Sequence, residues 1–318
     1  MTVSLVVPIH NSASTLKKVL DSIERQEHPL TEVFLIDNNS SDSSFHIMEV
    51  YQKSSKFKVK LIRQTVDKGL AHSYNEAIRA METDFVITLQ SDCVINESDG
   101  ISRLLKPFSR DNEIVASCSL QKTPWGIWEE YDFWQKCLFS RHAGKVASGR
   151  NGRFCCFKTK SLKKIGLFNE RKYRTAGEDG DLFIRLEKVG NVVDVNDLVV
   201  DHLHSRSKNF SLGNYIYKEN QLAEATGACL ANNLKKVSLL NYKTVLLRPV
   251  LLIGLLVPKV NLVFLILILA YSVYITSNVF KKEWKNYRIL LLPVINIFLL
   301  LSFNYFFFRG FVTKRQAL

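Results

Sequence analysis

The chain has 318 residues, with 43 Lys or Arg against 30 Asp or Glu and a formal net charge of +13. Apolar residues make up 47% and charged residues 23%, which excludes disorder because a large core can be buried. Six cysteines are too sparse for a disulfide scaffold, and no His or Cys cluster has structural-zinc spacing.

Met1 leads at once into Val3-Ser4-Leu5-Val6-Val7, a β-rich run closed by Pro8. There is no basic start and no small-residue cleavage site, so a signal peptide is not expected and the cysteines are expected to be reduced. Leu16, Val19, Leu20 and Ile23 follow at helical spacing, with Ser12 or Ser14 as N-cap. Val33–Ile36 is a second buried strand ending at Asp37, and Asn38-Asn39-Ser40-Ser41-Asp42 is the loop after it. Val59–Arg63 is a third strand. Leu70, Tyr74, Ala77, Ile78 and Met81 mark the next helix face, and Phe85–Leu89 is a fourth strand ending at Gln90-Ser91-Asp92. This alternation predicts an open α/β sheet, mostly parallel, with flanking helices.

Trp125, Trp128, Tyr131, Phe133 and Trp134 then crowd one stretch, which as a pattern reads mainly as core packing. Gly149-Arg150-Asn151-Gly152-Arg153 is glycine-rich and basic. Gly177-Glu178-Asp179-Gly180-Asp181 opens a helix carrying Leu182, Phe183, Leu186 and Val189. A short strand near Val199-Val200 leads to His202 and His204. From Phe210 to about Asn233 the chain reads as an amphipathic helix, expected to pack on the first domain.

The tail differs. Residues 260–280 and 289–308 carry no charge, and each run suffices to cross roughly 30 Å of hydrocarbon. Residues 245–258 are apolar but short, which suits an interfacial segment. Two domains are therefore expected, a catalytic one over 1–243 and a membrane one over 244–318. The basic excess sits in this tail, at +8 against +5 for residues 1–243. That points to a membrane surface. Nucleic acid is not expected, because no basic helix, zinc finger or RNP-type motif accompanies the charge.

In an open parallel sheet, ligands sit beyond the carboxyl ends of the strands, where Asp37 and Asp92 fall. The first strand is followed by no GxGxxG, which argues against a dinucleotide, and the chain has no Walker loop, which argues against a P-loop ATPase. Val3–Asn11 with Ile36–Asp42, Asp67-Lys68-Gly69-Leu70 with Asn75, Gln90-Ser91-Asp92, Gly166–Glu170, Glu178–Leu182 and Val199–His202 stand in an order that resembles a family 2 glycosyltransferase over about residues 1–210.

The resemblance implies the nucleotide-diphospho-sugar transferase (GT-A) fold and an inverting mechanism, with a nucleotide-diphosphate sugar as donor. It implies that Asp37 holds a uracil-type base and that Pro8, His10 and Asn11 line the nucleotide pocket. Lys68, Asn75, Ser91 and Asp92 would join them at the donor. Asp92 and His202 are the expected ligands of a divalent metal, Mn or Mg, and His204 shares the face of His202. Asp179 would be the general base, with Glu178, Asp181 and Trp125 in the sugar and acceptor region. Gln90 replaces the acid that opens the family's metal motif, which puts metal affinity in question. The acceptor implied is a hydroxyl of a glycan or polyprenyl-linked saccharide, reached from a membrane-anchored, multi-pass enzyme facing the cytoplasm. Transfer to a polyprenyl phosphate and a catalytically silent scaffold are the alternatives.

Overall fold

The computed structural model describes residues 1–204, 209–234 and 243–318. They divide into two compact units, Met1–Ile127 with Gly144–Arg206, and Trp128–Ala143 with Ser207–Leu318.

The first unit opens as the periodicity predicts. Strand β1 (Val3–Ile9) leads to helix α1 (Ala13–Glu24), β2 (Glu32–Asn38), α2 (Ser44–Ser54), β3 (Val59–Gln64), α3 (Leu70–Arg79) and β4 (Phe85–Leu89). The strands β3, β2, β1 and β4 lie side by side, all parallel. Pro8 does not close β1 but lies within it, past Val6, where pairing with β4 ends. Each strand supplies two cores, because successive side chains point to opposite faces. Val3, Leu5, Val7 and Ile9 of β1 join Val33 and Leu35 of β2 under α1, while Val6, Phe34 and Ile36 join Ala71, Tyr74 and Ile78 of α3. Burial on both faces explains why these strands read as continuous apolar runs.

Beyond β4 the sheet is mixed, which corrects the expectation of a mostly parallel one. The chain continues through β5 (Cys93–Val94), α4 (Gly100–Leu105), β6 (Ile114–Lys122), α5 (Trp125–Glu129), α6 (Phe133–Phe139), β7 (Val146–Ser148) and β8 (Phe154–Lys158). It then passes α7 (Thr159–Lys164), α8 (Glu178–Leu186) and β9 (Asn191–His202). The order is β3-β2-β1-β4-β8-β6-β9-β5, with β7 on β6. Strand β8 runs antiparallel to both β4 and β6, and β9 runs parallel to β6. The carboxyl ends of β1, β2, β4, β6 and β9 and the start of β8 therefore share one edge.

The second unit is helical. In it α9 (Leu212–Asn233) lies along α13 (Leu292–Thr313), with α10 (Lys243–Leu255), α11 (Asn261–Tyr274) and α12 (Ser277–Lys282) between them in the chain. The expected boundary at 243/244 falls in the first turn of α10, and α9 groups with the apolar helices rather than with the sheet. At Gly227 a Cβ would meet the Phe307 carbonyl at 2.0 Å, so the two helices touch backbone to backbone there. Of the two expected spans, the first is broken. Its helix α11 has 14 residues, about 21 Å, and stops before Thr276. The second is longer than expected. Tyr287–Thr313, 27 residues, is one helix long and apolar enough to cross a membrane, and 33% of its most apolar window is buried.

Candidate active site

Asp92 stands just past β4 and His202 ends β9, two strands joined through β5, where Cys93 pairs with His202. His202 Nε2 lies 3.2 Å from Asp92 Oδ2. His204 follows in a left-handed turn (φ 50°), which histidine tolerates better than most residues and which sets its ring 3.5 Å from that of His202. The turn, rather than strand alternation, brings it there. One ligand atom from each of the three residues falls within 4.8 Å of the others, so they can share one ion. Burial alone would raise the Asp92 carboxyl, but His202, His204 and Arg153 outweigh it and hold it well below the ordinary range. Burial pushes the His202 imidazole down against the pull of Asp92, which favours the neutral, ligating form. An ionised carboxylate with two imidazoles fits a borderline cation such as Mn better than Mg.

The ends of β1 and β2 form a second cluster. Asp37 is fully buried, and its Oδ1 accepts the Ser40 N–H at 3.0 Å. Its Oδ2 accepts no hydrogen bond, although Arg63 Nε lies 3.5 Å away. A buried carboxylate oxygen without a donor asks for one from a ligand. His10 is exposed, its Nδ1 2.7 Å from the Asn38 carbonyl. Asn11, at φ 50°, ties the two loops together, accepting at Oδ1 from the backbone and hydroxyl of Ser41. Ser91 is fixed from α1: its Oγ lies 2.7 Å from that of Ser12, and its carbonyl accepts from Thr15. Lys68 is exposed beside this cluster, with its N–H on the Asn38 side chain. Asp67 accepts from Asn38, Gly69 and Arg174. Gly69 is required there, because at φ +88° its Cβ would lie 2.6 Å from the Arg174 carbonyl.

Two expected residues are engaged elsewhere. Asn75 is buried in α3 and both ends of its amide bond the Phe168 backbone, so it braces that loop. Asp181 is buried and paired with Arg185 at 2.7 Å. Trp125 is 39% exposed in α5, its indole against Gly144, while Trp128, Tyr131 and Phe133 are buried.

Gly177, at φ +84°, starts α8 and turns Glu178 and Asp179 into its first turn. Asp179 Oδ1 accepts the Gly180 N–H at 2.7 Å, and Glu178 Oε2 is buried without a partner. Burial first, then the Asp179 charge, pushes Glu178 up to about 8. Burial also raises Asp179, against Gly180 and Arg153. Sequence reasoning missed Arg153. Its positive charge works in the same direction on Asp92, His202, Glu178 and Asp179, lowering each behind the larger effect of burial.

Residues 4–166, half of the chain, match the family described as Glycosyl transferase family 2. The chain belongs to that family. The poly-beta-1,6-N-acetyl-D-glucosamine synthase of Staphylococcus epidermidis is 26% identical over 114 residues, 36% of this chain and 27% of that protein. The dolichol-phosphate mannosyltransferase of Pyrococcus furiosus is 26% identical over 175 residues, 54% of this chain and 47% of that one. This family 2 chain thus spans less than half the length of the curated relatives it matches here. The mannosyltransferase PcManGT from Pyrobaculum calidifontis, in complex with GDP-Man and Mn2+, superposes with a TM-score of 0.60 at 17% identity, over 95% of this chain and 86% of that one. That likeness shows the fold: a mixed α/β sheet of the GT-A kind with flanking helices.

Proposed function

We propose that the chain is a membrane-anchored inverting glycosyltransferase that moves a sugar from a nucleotide-diphosphate donor to a hydroxyl of a glycan or polyprenyl-linked acceptor. The observation that carries this reading is the grouping of Asp92, His202 and His204 at the strand ends.

The free Oδ2 of Asp37 takes an N–H of the base, and His10 and Asn11 border the nucleotide. Asp92, His202 and His204 would hold a divalent ion of the Mn kind, which when bound neutralises charge on the diphosphate. The acceptor oxygen attacks the anomeric carbon opposite the leaving group. Asp179 takes its proton, the bond from carbon to phosphate oxygen breaks, and the nucleoside diphosphate leaves. Protonated Glu178 keeps a second negative charge away from the incoming hydroxyl, and the raised Asp179 is a stronger base than an ordinary carboxylate. Exposed Trp125 offers an aromatic face to the acceptor. The long apolar helix would anchor the chain, and the four buried, free cysteines of the sheet unit, Cys93, Cys118, Cys155 and Cys156, suit a catalytic unit on the reducing, cytoplasmic side.

Asp179→Asn tests the chemistry. It keeps the shape and removes the basicity, so single-turnover transfer to a hydroxyl acceptor should fall by roughly 10²-fold or more while donor affinity holds. Wild-type transfer by this variant would remove Asp179 as the base. The match to a dolichol-phosphate mannosyltransferase favours a second reading, with a phosphate acceptor that is already ionised and needs no base. Undiminished transfer to a polyprenyl phosphate by Asp179→Asn would select it.

A further inference from the structure

One cation at this edge has no part in the scheme above. Arg153 immediately precedes β8. Because β8 runs antiparallel to β4, with Leu89 opposite Phe154, Arg153 arrives beside the end of β4 that carries Gln90, Ser91 and Asp92. Its carbonyl accepts the Gln90 N–H at 2.9 Å. From β6, Gln121 Oε1 accepts from Arg153 Nη1 at 2.7 Å. Two residues on, Thr123 Oγ1 stands 3.5 Å from His204 Nε2. The guanidinium is thus fixed among the strand ends that bear Asp92, His202 and His204.

One of its donors is buried and idle. A guanidinium has five N–H donors. Here one bond goes to Gln121, and Nε is buried with no partner. It forms no ion pair with a carboxylate among the described residues, and its neighbour across the ladder, Gln90, is neutral. A buried guanidinium N–H without an acceptor is unfavourable until one arrives, and an anion is the acceptor that also meets the charge. The fork of an arginine matches two phosphate oxygens at once, which a point charge does not.

We propose that Arg153 binds the terminal phosphate of the donor's diphosphate through paired N–H···O bonds, and so shares with the divalent ion the neutralisation of the leaving group. This rests on the nucleotide-sugar reading above. It gives the chain a fixed positive charge at the position where the leaving group gathers negative charge, in a site whose motif begins with an amide. The preference for a diphosphate over a monophosphate would then survive in part without metal.

The full chain in detergent is titrated calorimetrically with UDP and GDP and with UMP and GMP, each with Mn2+ and in EDTA. For the base that binds, the wild type should prefer the diphosphate under both conditions. Arg153→Gln should lose about 10- to 100-fold in diphosphate affinity, with the monophosphate within about twofold, and its preference in EDTA should vanish. Arg153→Lys keeps the charge without the fork and should fall between. Should Arg153→Gln not fold, the same ratio in Arg153→Lys decides. An unchanged ratio overturns the proposal, and would leave any phosphate bound by Arg153 to the acceptor. If the wild type binds none of the four nucleotides, the nucleotide-sugar reading itself falls, and this proposal with it.

Discussion

Glu178 and Asp179 are adjacent carboxylates in one buried turn, and they cannot both ionise freely. Folded, Glu178 keeps its proton to about 8, whereas unfolded it loses it near 4.5. Between those values the folded state binds more protons, so stability falls as pH rises and levels off above about pH 8. Glu178→Gln is neutral throughout and keeps the size. In urea unfolding the slope of stability between about pH 5 and 8 should flatten, and the variant should be the more stable of the two at pH 8. An identical slope in the variant would place the titrating group elsewhere. The effect is opposite in sign to that of Asp92, whose lowered carboxyl adds stability that is lost only as pH falls below the ordinary range. Function and stability thus pull apart at Glu178: the burial that keeps Asp179 basic makes the folded state less stable in alkali.

The helix pair α9–α13 depends on its glycines. A Cβ at Gly227 would sit 2.0 Å from the Phe307 carbonyl, and one at Gly310 would sit 2.0 Å from that of Glu224. Gly227→Val should therefore cost about 1–3 kcal/mol or more, seen as a lower melting temperature in detergent. Gly213→Ala, at the open start of α9, meets only the Ser211 hydroxyl at 3.5 Å and should change little. Equal melting of the two variants would contradict the close approach. Close packing of this kind is invisible in sequence, where Gly227 is one glycine among helical residues. The same limit applied in the sheet. Strands β1 to β4 were legible because each is a short apolar run, and the first three are each followed by a helix of clear period. Strand β6, Ile-Val-Ala-Ser-Cys-Ser-Leu, mixes small and polar residues, and β8 is five residues long, so neither gives a clear period. The pairing of β8 with β4 and with β6 is also non-local. The places of Asp37, Asp92 and His202 were legible because each falls at or just past the end of an apolar strand. Arg153 was not, because its place beside Gln90 exists only once β8 has paired. The bracing of the Phe168 backbone by Asn75 was not legible either, because a motif position does not tell whether an amide meets a ligand or a backbone.

Across the whole chain, polarity divides more sharply than either motif or element. In α13 the residues Val294, Phe298, Leu301, Tyr305, Phe308 and Val312 recur at intervals of three and four, and all are exposed. The opposite face, with Leu299, Phe303 and Phe307, is buried. A soluble helix would show the reverse pattern, with its outer stripe polar. At the head of this helix Trp284 and Tyr287 are exposed at 67% and 74%, next to exposed Lys281, Lys285 and Arg288. Amphipathic aromatic rings with basic residues beside them suit the level of lipid headgroups. The helix from Tyr287 to Thr313 spans about 40 Å, enough for the hydrocarbon with some tilt. A bilayer and a second copy of the chain would each cover such a stripe, and they respond differently to charge and to alkali. In membranes, the wild type should stay in the pellet after alkaline carbonate extraction. Leu301→Arg places a charge at mid-helix, at about 2.5–3.5 kcal/mol for insertion, and with Phe308→Arg should release much of the protein. If instead the wild type leaves the membrane with salt alone and runs as a dimer without detergent, the stripe is a subunit contact and the anchor is refuted.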